Sequence, residues 1–544
     1  MEQKSKRMSG AEIIVRTLIE EGVDTVFGYP GGQVLHIYDE LEKKRRHIRH
    51  ILTAHEQGAA HAADGYARTT GKVGVVIATS GPGASNLVTG IATAYLDSVP
   101  MVAITGNVPT DQIGRDSFQE LDIADITMPI NKHNYIVKDI RELHRILKEA
   151  FAIAREGRCG PVLVDIPKDI QIAKCDFSEV VLSAKKPHVI SDKELGAAAK
   201  IISNAKRPFI YCGGGVVSAG AGDLVKELSQ RIDAPCGCSL MGLSGIESDF
   251  PSMLGLTGMH GLARATTAMK NADVIIAIGA RFTDRATGAH GEIVENAKIV
   301  QFDIDPAEVD KNVRDAAYVI GEIRLTLTKL LSILKEKKRP EWRTFINTLP
   351  CTENPCDSDK LTPYAVIDAV AEYSRGLSIA TDVGQHQMWT AQRYPISGER
   401  SFLTSGGLGT MGFGMGAAIG ASIAKGGART VLFTGDGSFG MNLNELATAV
   451  SYQLPLVIVI MNNRSLGMVR EWQKAMFGRE SQTLLKRKTD FTMLARAFGA
   501  DGAKASNMNE LKNALDKAFS NKSTLPFVID CDIMTDETVT QIDR

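Results

Sequence analysis

Two short motifs in the last third of the chain carry residues of a kind that holds a metal ion. Gly435-Asp436-Gly437-Ser438 follows the apolar run Thr430-Val431-Leu432-Phe433, and Asn462-Asn463 follows a second apolar run over 456–461. Between them, Asn442 to Val450 spaces its apolar residues as a helix does. Strand, helix, strand predicts a right-handed parallel crossover, which ends both strands at one sheet edge. Asp436 and Asn463 then stand side by side. A carboxylate and an amide oxygen are hard ligands, suited to a cation that keeps oxygen partners. The glycines let the backbone approach a phosphate, and the N–H groups opening the following helix favour an anion. The set points to a metal bridged to a diphosphate. An isolated Gly-Asp-Gly turn would do no more than cap a helix; the asparagine pair one crossover later makes the ligand the better reading.

A second candidate stands near the start. Glu56 follows the strand-like segment 50–54 and lies at the head of His55-Glu56-Gln57-Gly58-Ala59-Ala60-His61-Ala62-Ala63, a helix of small residues. With few polar neighbours in sequence, burial would make this acid hold its proton more tightly and fit it for exchange with a heterocycle nitrogen. Taken alone, it is simply an acid that a helix N-terminus favours. Ser80-Gly81-Pro82-Gly83-Ala84-Ser85-Asn86 joins the strand-like 73–79 to the next helix and can line a pocket. Asp382-Val383-Gly384-Gln385-His386 offers main-chain N–H groups and a histidine to phosphate oxygens. Gly406-Gly407-Leu408-Gly409-Thr410-Met411-Gly412 has so many glycines that something must lie close against its backbone. Tight helix packing would satisfy that need as well as a ligand.

The elements that must position these residues read as α/β: three doubly wound parallel-sheet units, over 1–183, 190–345 and 360–544. The first opens with the capping box Ser9-Gly10-Ala11-Glu12 and continues with strands at 73–79, 100–105 and 161–166. A polar, proline-broken linker is expected over 183–192. The second has strands at 208–212, 272–278 and 299–304, with Gly213-Gly214-Gly215 and Gly279-Ala280-Arg281 at strand ends. Such glycines suit a dinucleotide, although the unit lacks a clean Gly-x-Gly-x-x-Gly fingerprint. The charged run 335–339 and the segment 350–361 mark another boundary. The third unit has strands at 377–381, 431–434, 456–460 and 526–531. The outer units match in size and alternation, which points to an internal duplication.

Composition narrows the classes. The chain has 544 residues, 44% hydrophobic and 23% charged, enough for large cores and too apolar for wholesale disorder. Its net charge of −1 gives no electrostatic case for nucleic acid. Eight cysteines in such a length make no disulfide framework, and neither Cys236/Cys238 nor Cys351/Cys356 has zinc-site spacing. A reducing cytoplasm is therefore expected, with no signal peptide in Met1–Arg7 and no membrane span.

Together, Glu56, Gly435-Asp436-Gly437 and Asn462-Asn463 resemble the signature of the thiamin-diphosphate enzymes that process pyruvate. Over about residues 9–535 the chain is similar to the catalytic subunits of acetohydroxyacid synthase. The most specific parts are Gly28-Tyr29-Pro30-Gly31-Gly32, Arg115-Asp116-Ser117-Phe118-Gln119-Glu120, Gly279-Ala280-Arg281-Phe282 and Leu466-Gly467-Met468-Val469-Arg470-Glu471-Trp472.

The resemblance implies decarboxylation of pyruvate on thiamin diphosphate and ligation of the two-carbon unit to a second 2-oxo acid, in branched-chain amino acid biosynthesis. It implies that Glu56 partners the aminopyrimidine ring and promotes loss of the thiazolium C2 proton. Met411 would lie beneath the bent cofactor, and Asp436, Asn463 and the main-chain carbonyl of Ser465 would hold Mg²⁺. Pro82, Asn86, Val383, Gly384, Gln385, His386, Gly409, Gly435, Gly437, Ser438, Leu466, Gly467 and Met468 would complete the cofactor's surroundings. Arg285 would grip the second acid's carboxylate, as suits a guanidinium fork, and Trp472 would favour the 2-oxobutyrate side chain. Phe118, Gln119 and Lys168 would line the approach to the thiazolium.

A structural FAD is implied in the middle unit, near Arg158, Gly213, Gly214, Gly215, Gly258, Met259, His260, Gly261, Gly279, Ala280, Arg281, Asp303 and Asp315. The site would need two chains, Glu56 of one facing Asp436 of the other, in a homodimer or tetramer that a small regulatory subunit can join. The alternatives are a pyruvate oxidase, a decarboxylase or a catabolic relative on the same fold, a dinucleotide-dependent oxidoreductase, or a degenerate binding subunit. Three departures bear on substrate choice: Gln33 where the family carries a small residue, the basic Arg464-Ser465 after the asparagine pair, and a C-terminus without the family's Pro-Gly tail.

Overall fold

Three runs of alternating strand and helix close into three six-stranded sheets, each wholly parallel. This computed structural model describes residues 7–183, 189–288, 294–350, 361–520 and 523–539. Half of the expected linker (184–188), the pair Cys351/Cys356 and the last five residues lie outside them. The strands are near-continuous apolar runs buried on both faces, as Val274–Ile278 is, because helices cover both sides of each sheet.

The first sheet runs Arg49–Leu52, Thr25–Tyr29, Gly74–Ala78, Met101–Asn107, Pro161–Pro167, His133–Ile136. Numbered along the chain this is 2-1-3-4-6-5. The third sheet runs Phe402–Leu403, Ser378–Thr381, Thr430–Gly435, Leu456–Asn462, Phe527–Asp532, Asp501–Ala505, which is the same winding. The middle sheet runs Met253–Leu256, Cys236–Cys238, Pro208–Cys212, Val274–Ile278, Lys298–Asp303, Ala317–Ile320, or 3-2-1-4-5-6, the order of dinucleotide-binding units. In open sheets of this kind ligands bind beyond the strand C-termini, where the order reverses. Those places hold Asp382 and Asp436 in the third unit, and Gly213 and Gly279 in the second.

Two helices differ from expectation in where they start. The helix expected over 442–450 begins at Asp436, with Gly435 as its N-cap, and runs only to Asn442. There φ moves to −141° while Asn442 Nδ2 donates to Gly412 O at 3.0 Å. A tighter turn, Leu443–Glu445, follows before the helix Leu446–Ser451. The small-residue helix near the start spans Glu56–Thr70, capped by His55, whose Nδ1 accepts from Gln57 N at 3.1 Å.

This helix packs along Phe413–Ala424 and joins the first unit to the third. The backbones touch: a Cβ at Gly420 would overlap the carbonyl oxygen of Ala62, and one at Gly65 would overlap that of Ala417. Gly420→Val should therefore lower stability by about 1–3 kcal/mol or more through overpacking. A urea unfolding curve unchanged from wild type would contradict this packing. No helix among the described residues is long and apolar enough to cross a membrane.

Candidate active site

Asp436 and Asn463 come together as the crossover predicts. Thr430–Gly435 and Leu456–Asn462 pair in parallel with Gly435 opposite Met461, so Asp436 and Asn463 leave adjacent strands at one edge. Both are buried, as is Ser465. Asn463 Nδ2 donates to Gln385 Oε1 at 3.0 Å, while Asn463 Oδ1 accepts from Ser465 N at 3.1 Å. The turn between them passes through Arg464 in the left-handed region, φ +57°, and Arg464 Nη2 reaches both oxygens of Asp532 at 2.9 Å. Gly467 has no room for a side chain, since a Cβ there would overlap Gln385 Oε1. Burial pushes the Asp436 carboxyl up to about 6, with a further push from Asp530. A buried carboxylate without a counter-ion fits a cation ligand.

The phosphate side lies against this corner. His386 is buried, its Nε2 has no hydrogen-bond partner, and its ring rests over Gly384 and Gly435. Burial lowers its pKa to about 3, so the ring is neutral. An N–H there would be orphaned without an anion, and a diphosphate oxygen fits it. Gln385 is placed differently from expectation. Its side-chain amide donates to Glu471 Oε2 at 3.0 Å and to Glu537 O at 2.9 Å, and so serves the fold; only its main chain remains for a ligand. Ser438 Oγ is likewise taken, donating to Val383 O at 2.7 Å.

Met411 comes within reach of Gly437 together with Leu466, which fits a residue beneath a bound cofactor. Its loop is fastened at several points. Asp97 accepts from Gly406 N at 3.2 Å and Gly407 N at 2.7 Å, and Asp382 Oδ1 accepts from Gly412 N at 2.7 Å. Asp97 belongs to the first unit and is itself tied to the buried Arg68. What lies close to Gly406 and Gly407 is therefore protein: Met241, and Asp97 with Leu96.

A cavity of about 720 Å³ runs from this loop into the middle unit. Arg285 Cζ stands 5.7 Å from the centre of the Trp472 ring, and His260 meets the same ring edge-on at 6.5 Å. Arg285, which lines the cavity, is 58% exposed, with Nε 3.7 Å from Asp284 Oδ2 and Nη1 3.0 Å from Met259 Sδ. Gly258, Met259 and Gly261 do not line the cavity. They form the turn behind Arg285: Met259 N donates to Arg285 O at 2.8 Å, and Gly258, at φ +97°, packs on that carbonyl.

The same cavity is also lined by Arg158, Gly213, Gly214, Gly215, His260, Gly279, Ala280, Arg281 and Asp303. Arg158 Nε donates to Ser98 Oγ at 2.8 Å and its Nη1 to Glu308 Oε1 at 3.2 Å. Gly213 and Gly215 close on Gly279, so these glycines are needed first for strand-end packing. Asp315, exposed and at φ +59°, stands outside the cavity, contrary to expectation.

Glu56 is half-buried and is not without polar company. Asn86 Nδ2 donates to its Oε2 at 2.9 Å, while Oε1 lies against Gly83 beside Thr79. Gln119 closes over Gly81 with φ +60°. Phe118 is 83% exposed, and Lys168 opens the helix Lys168–Ile172. The Gln33 amide oxygen is buried and unpartnered, and Gln33 N donates to Thr79 Oγ1 at 3.2 Å. Glu56, Gln119 and Lys168 do not line the cavity that holds Met411 and Arg285. The candidate residues thus fall into two groups, one lining this cavity and one outside it.

The sheet winding, the Asp436–Asn463 corner and Glu56 held by Asn86 fit a thiamin-diphosphate enzyme, and the family matches show that class. Residues 8–126 match the thiamine pyrophosphate enzyme N-terminal TPP binding domain, 195–330 the central domain and 382–531 the C-terminal TPP binding domain. The chain is 44% identical to the acetolactate synthase large subunit of Haemophilus influenzae, covering 98% of this chain and 95% of that one. It is 42% identical to the Escherichia coli acetolactate synthase isozyme 3 large subunit, over 94% and 92%. Against a probable acetolactate synthase large subunit of Methanocaldococcus jannaschii the identity is 43%, over 96% and 91%. The chain belongs to the acetolactate synthase large-subunit family.

Proposed function

We propose that this chain removes CO₂ from pyruvate and joins the remaining two-carbon unit to a second 2-oxo acid. The products are 2-acetolactate from pyruvate and 2-aceto-2-hydroxybutyrate from 2-oxobutyrate. One observation carries this reading: a single cavity joins Met411, beside the diphosphate corner, to Arg285 laid over Trp472. A decarboxylase has no need of a second carboxylate grip; a carboligase does.

Bound thiamin diphosphate supplies a thiazolium that accepts the electron pair left when CO₂ departs. The residues position and desolvate. Asp436, Asn463 and Ser465 would hold Mg²⁺, and the unpartnered His386 Nε2 would serve the diphosphate. Glu56, tied through Oε2 to Asn86, keeps Oε1 for proton exchange. Arg285 binds the second acid's carboxylate, and the Trp472 ring bounds its side chain.

Because Glu56 lies off its own chain's cavity, we read the site as completed by Glu56 of a second copy. The middle sheet's 3-2-1-4-5-6 order, with Arg158, Gly214, Arg281 and Asp303 around the cavity, supports a structural FAD. The name large subunit borne by relatives supports a separate small regulatory partner.

Purified protein given pyruvate, Mg²⁺ and thiamin diphosphate should release CO₂ and form acetolactate. Acetaldehyde or acetate as the only product would move the reading to a decarboxylase or oxidase, and nicotinamide turnover to an oxidoreductase. A yellow flavin spectrum is expected of the purified protein; a colourless active enzyme would remove FAD. Arg285→Gln should cut carboligation by about 10- to 100-fold, the worth of a charge-assisted hydrogen bond. CO₂ release should fall less, so the product ratio shifts away from acetolactate. An unchanged ratio would place the carboxylate grip elsewhere.

A further inference from the structure

The strand that leads to Glu56, Arg49–Leu52, lies at the edge of its sheet. The outer N–H groups of an edge strand and of the turn after it have no neighbouring strand to pair with. Here side chains of the third unit take them. Leu52 N donates to Tyr452 Oη at 2.7 Å, Ala54 N to Glu445 Oε2 at 3.2 Å and His55 N to Glu445 Oε1 at 3.0 Å. Glu445 is fully buried, and Thr448 Oγ1 donates to its Oε2 at 2.6 Å. The carboxylate sits tight against the first turn of the Glu56–Thr70 helix, where a Cβ at Gly58 would overlap Oε1.

Burying an acid is unfavourable unless its oxygens are satisfied. Burial, with a smaller push from the Glu56 charge, raises the Glu445 carboxyl above its ordinary value. An apolar residue would join the two units with less penalty. The main-chain donors to Glu445 are the two residues immediately before Glu56, and one of them, His55, is the N-cap of its helix. The segment that carries Glu445 and Tyr452 also continues directly from the helix Asp436–Asn442, whose first residue is the metal ligand.

We propose that Glu445 is a positioning residue for Glu56: its carboxylate, held between the N–H groups of Ala54 and His55, fixes the turn that aims the Glu56 side chain. One segment of the third unit thereby sets both the metal corner and the acid on the first unit. This rests on the role given to Glu56 above.

Glu445→Gln keeps the volume but replaces one of the two accepting oxygens with an –NH₂ that clashes with a donor. In the full chain without cofactor, amide hydrogen exchange across 52–58 should accelerate. With thiamin diphosphate and Mg²⁺ bound, cofactor affinity should stay within about threefold. Exchange of the cofactor's C2 proton with solvent deuterium should slow by at least about tenfold, as a displaced acid does. A merely structural role would lower thermal stability and leave C2 exchange alone. Glu56→Gln is measured beside it. If that variant exchanges C2 as fast as wild type, the role of Glu56 itself falls. If Glu56→Gln slows exchange and folded, cofactor-bound Glu445→Gln does not, only the role of Glu445 falls. Should Glu445→Gln not fold, Thr448→Val and Tyr452→Phe each remove one support of the same turn. Both should slow C2 exchange to a smaller degree, and wild-type exchange in both would overturn the proposal.

Discussion

Glu56→Gln should lower acetolactate formation by about 10²- to 10⁴-fold, the range a positioned proton-transfer group contributes, while thermal unfolding hardly moves. Both halves of that expectation follow from the geometry. The amide keeps the volume of the acid, and its oxygen can still accept from Asn86 Nδ2, which now holds Glu56 Oε2 at 2.9 Å. The –NH₂ then replaces Oε1 against Gly83, where it can donate but can neither take up nor release a proton at neutral pH. Steady-state assays of acetolactate and CO₂ should fall together, because the proton exchange precedes both. Retained activity within about threefold of wild type would mean that another group moves the proton. Asn86→Ala offers a graded control: it removes the amide that orients Glu56 and should cost less than the loss of the acid itself.

What could be read from the sequence depended on how local its physical cause was. The juxtaposition of Asp436 and Asn463 was legible because a parallel crossover brings two strand ends to one edge, and these residues sit at those ends. The three parallel sheets were legible from alternating apolar runs. The strand order of the middle sheet was not, although it supports a dinucleotide better than the glycines do; Gly213 and Gly215 are occupied by packing on Gly279. The break in this helix was missed because Asn442, an ordinary helical residue by spacing, bonds to Gly412 on a neighbouring loop of the same unit and interrupts the helix. Pairings that act on a motif from far along the chain gave no signal, even where, as for Asn86, the residue itself was a candidate. Asp97 on the Met411 loop, Asn86 on Glu56 and Glu445 on the turn before Glu56 are polar residues whose partners lie between about thirty and four hundred positions away. For Glu445 the one available hint was an acid at the head of the largely apolar stretch 446–450.

Asp436→Asn should have effects of opposite sign in the two states of the protein. In the absence of a cation the wild-type carboxylate is buried, its donors are the main-chain N–H groups of Gly437 and Arg464, and the charge of Asp530 is nearby. An uncompensated buried charge is unfavourable, and an isosteric amide removes it. The cofactor-free variant should therefore be more stable, by about 1 kcal/mol, since the new –NH₂ recovers only part of the penalty. With Mg²⁺ and thiamin diphosphate at about 100 times their dissociation constant, wild type should gain about 2.7 kcal/mol by mass action. The variant, lacking the only charged group among the three proposed metal ligands, should gain little of it and lose activity. Midpoints of thermal unfolding with and without both ligands test this, since three sheets need not unfold as one transition. A variant protected as well as wild type would remove Asp436 from the metal site. A cofactor-free variant less stable than wild type would instead mean that the carboxylate is satisfied by the protein alone, so that Asp436 is part of the fold before it is part of the site.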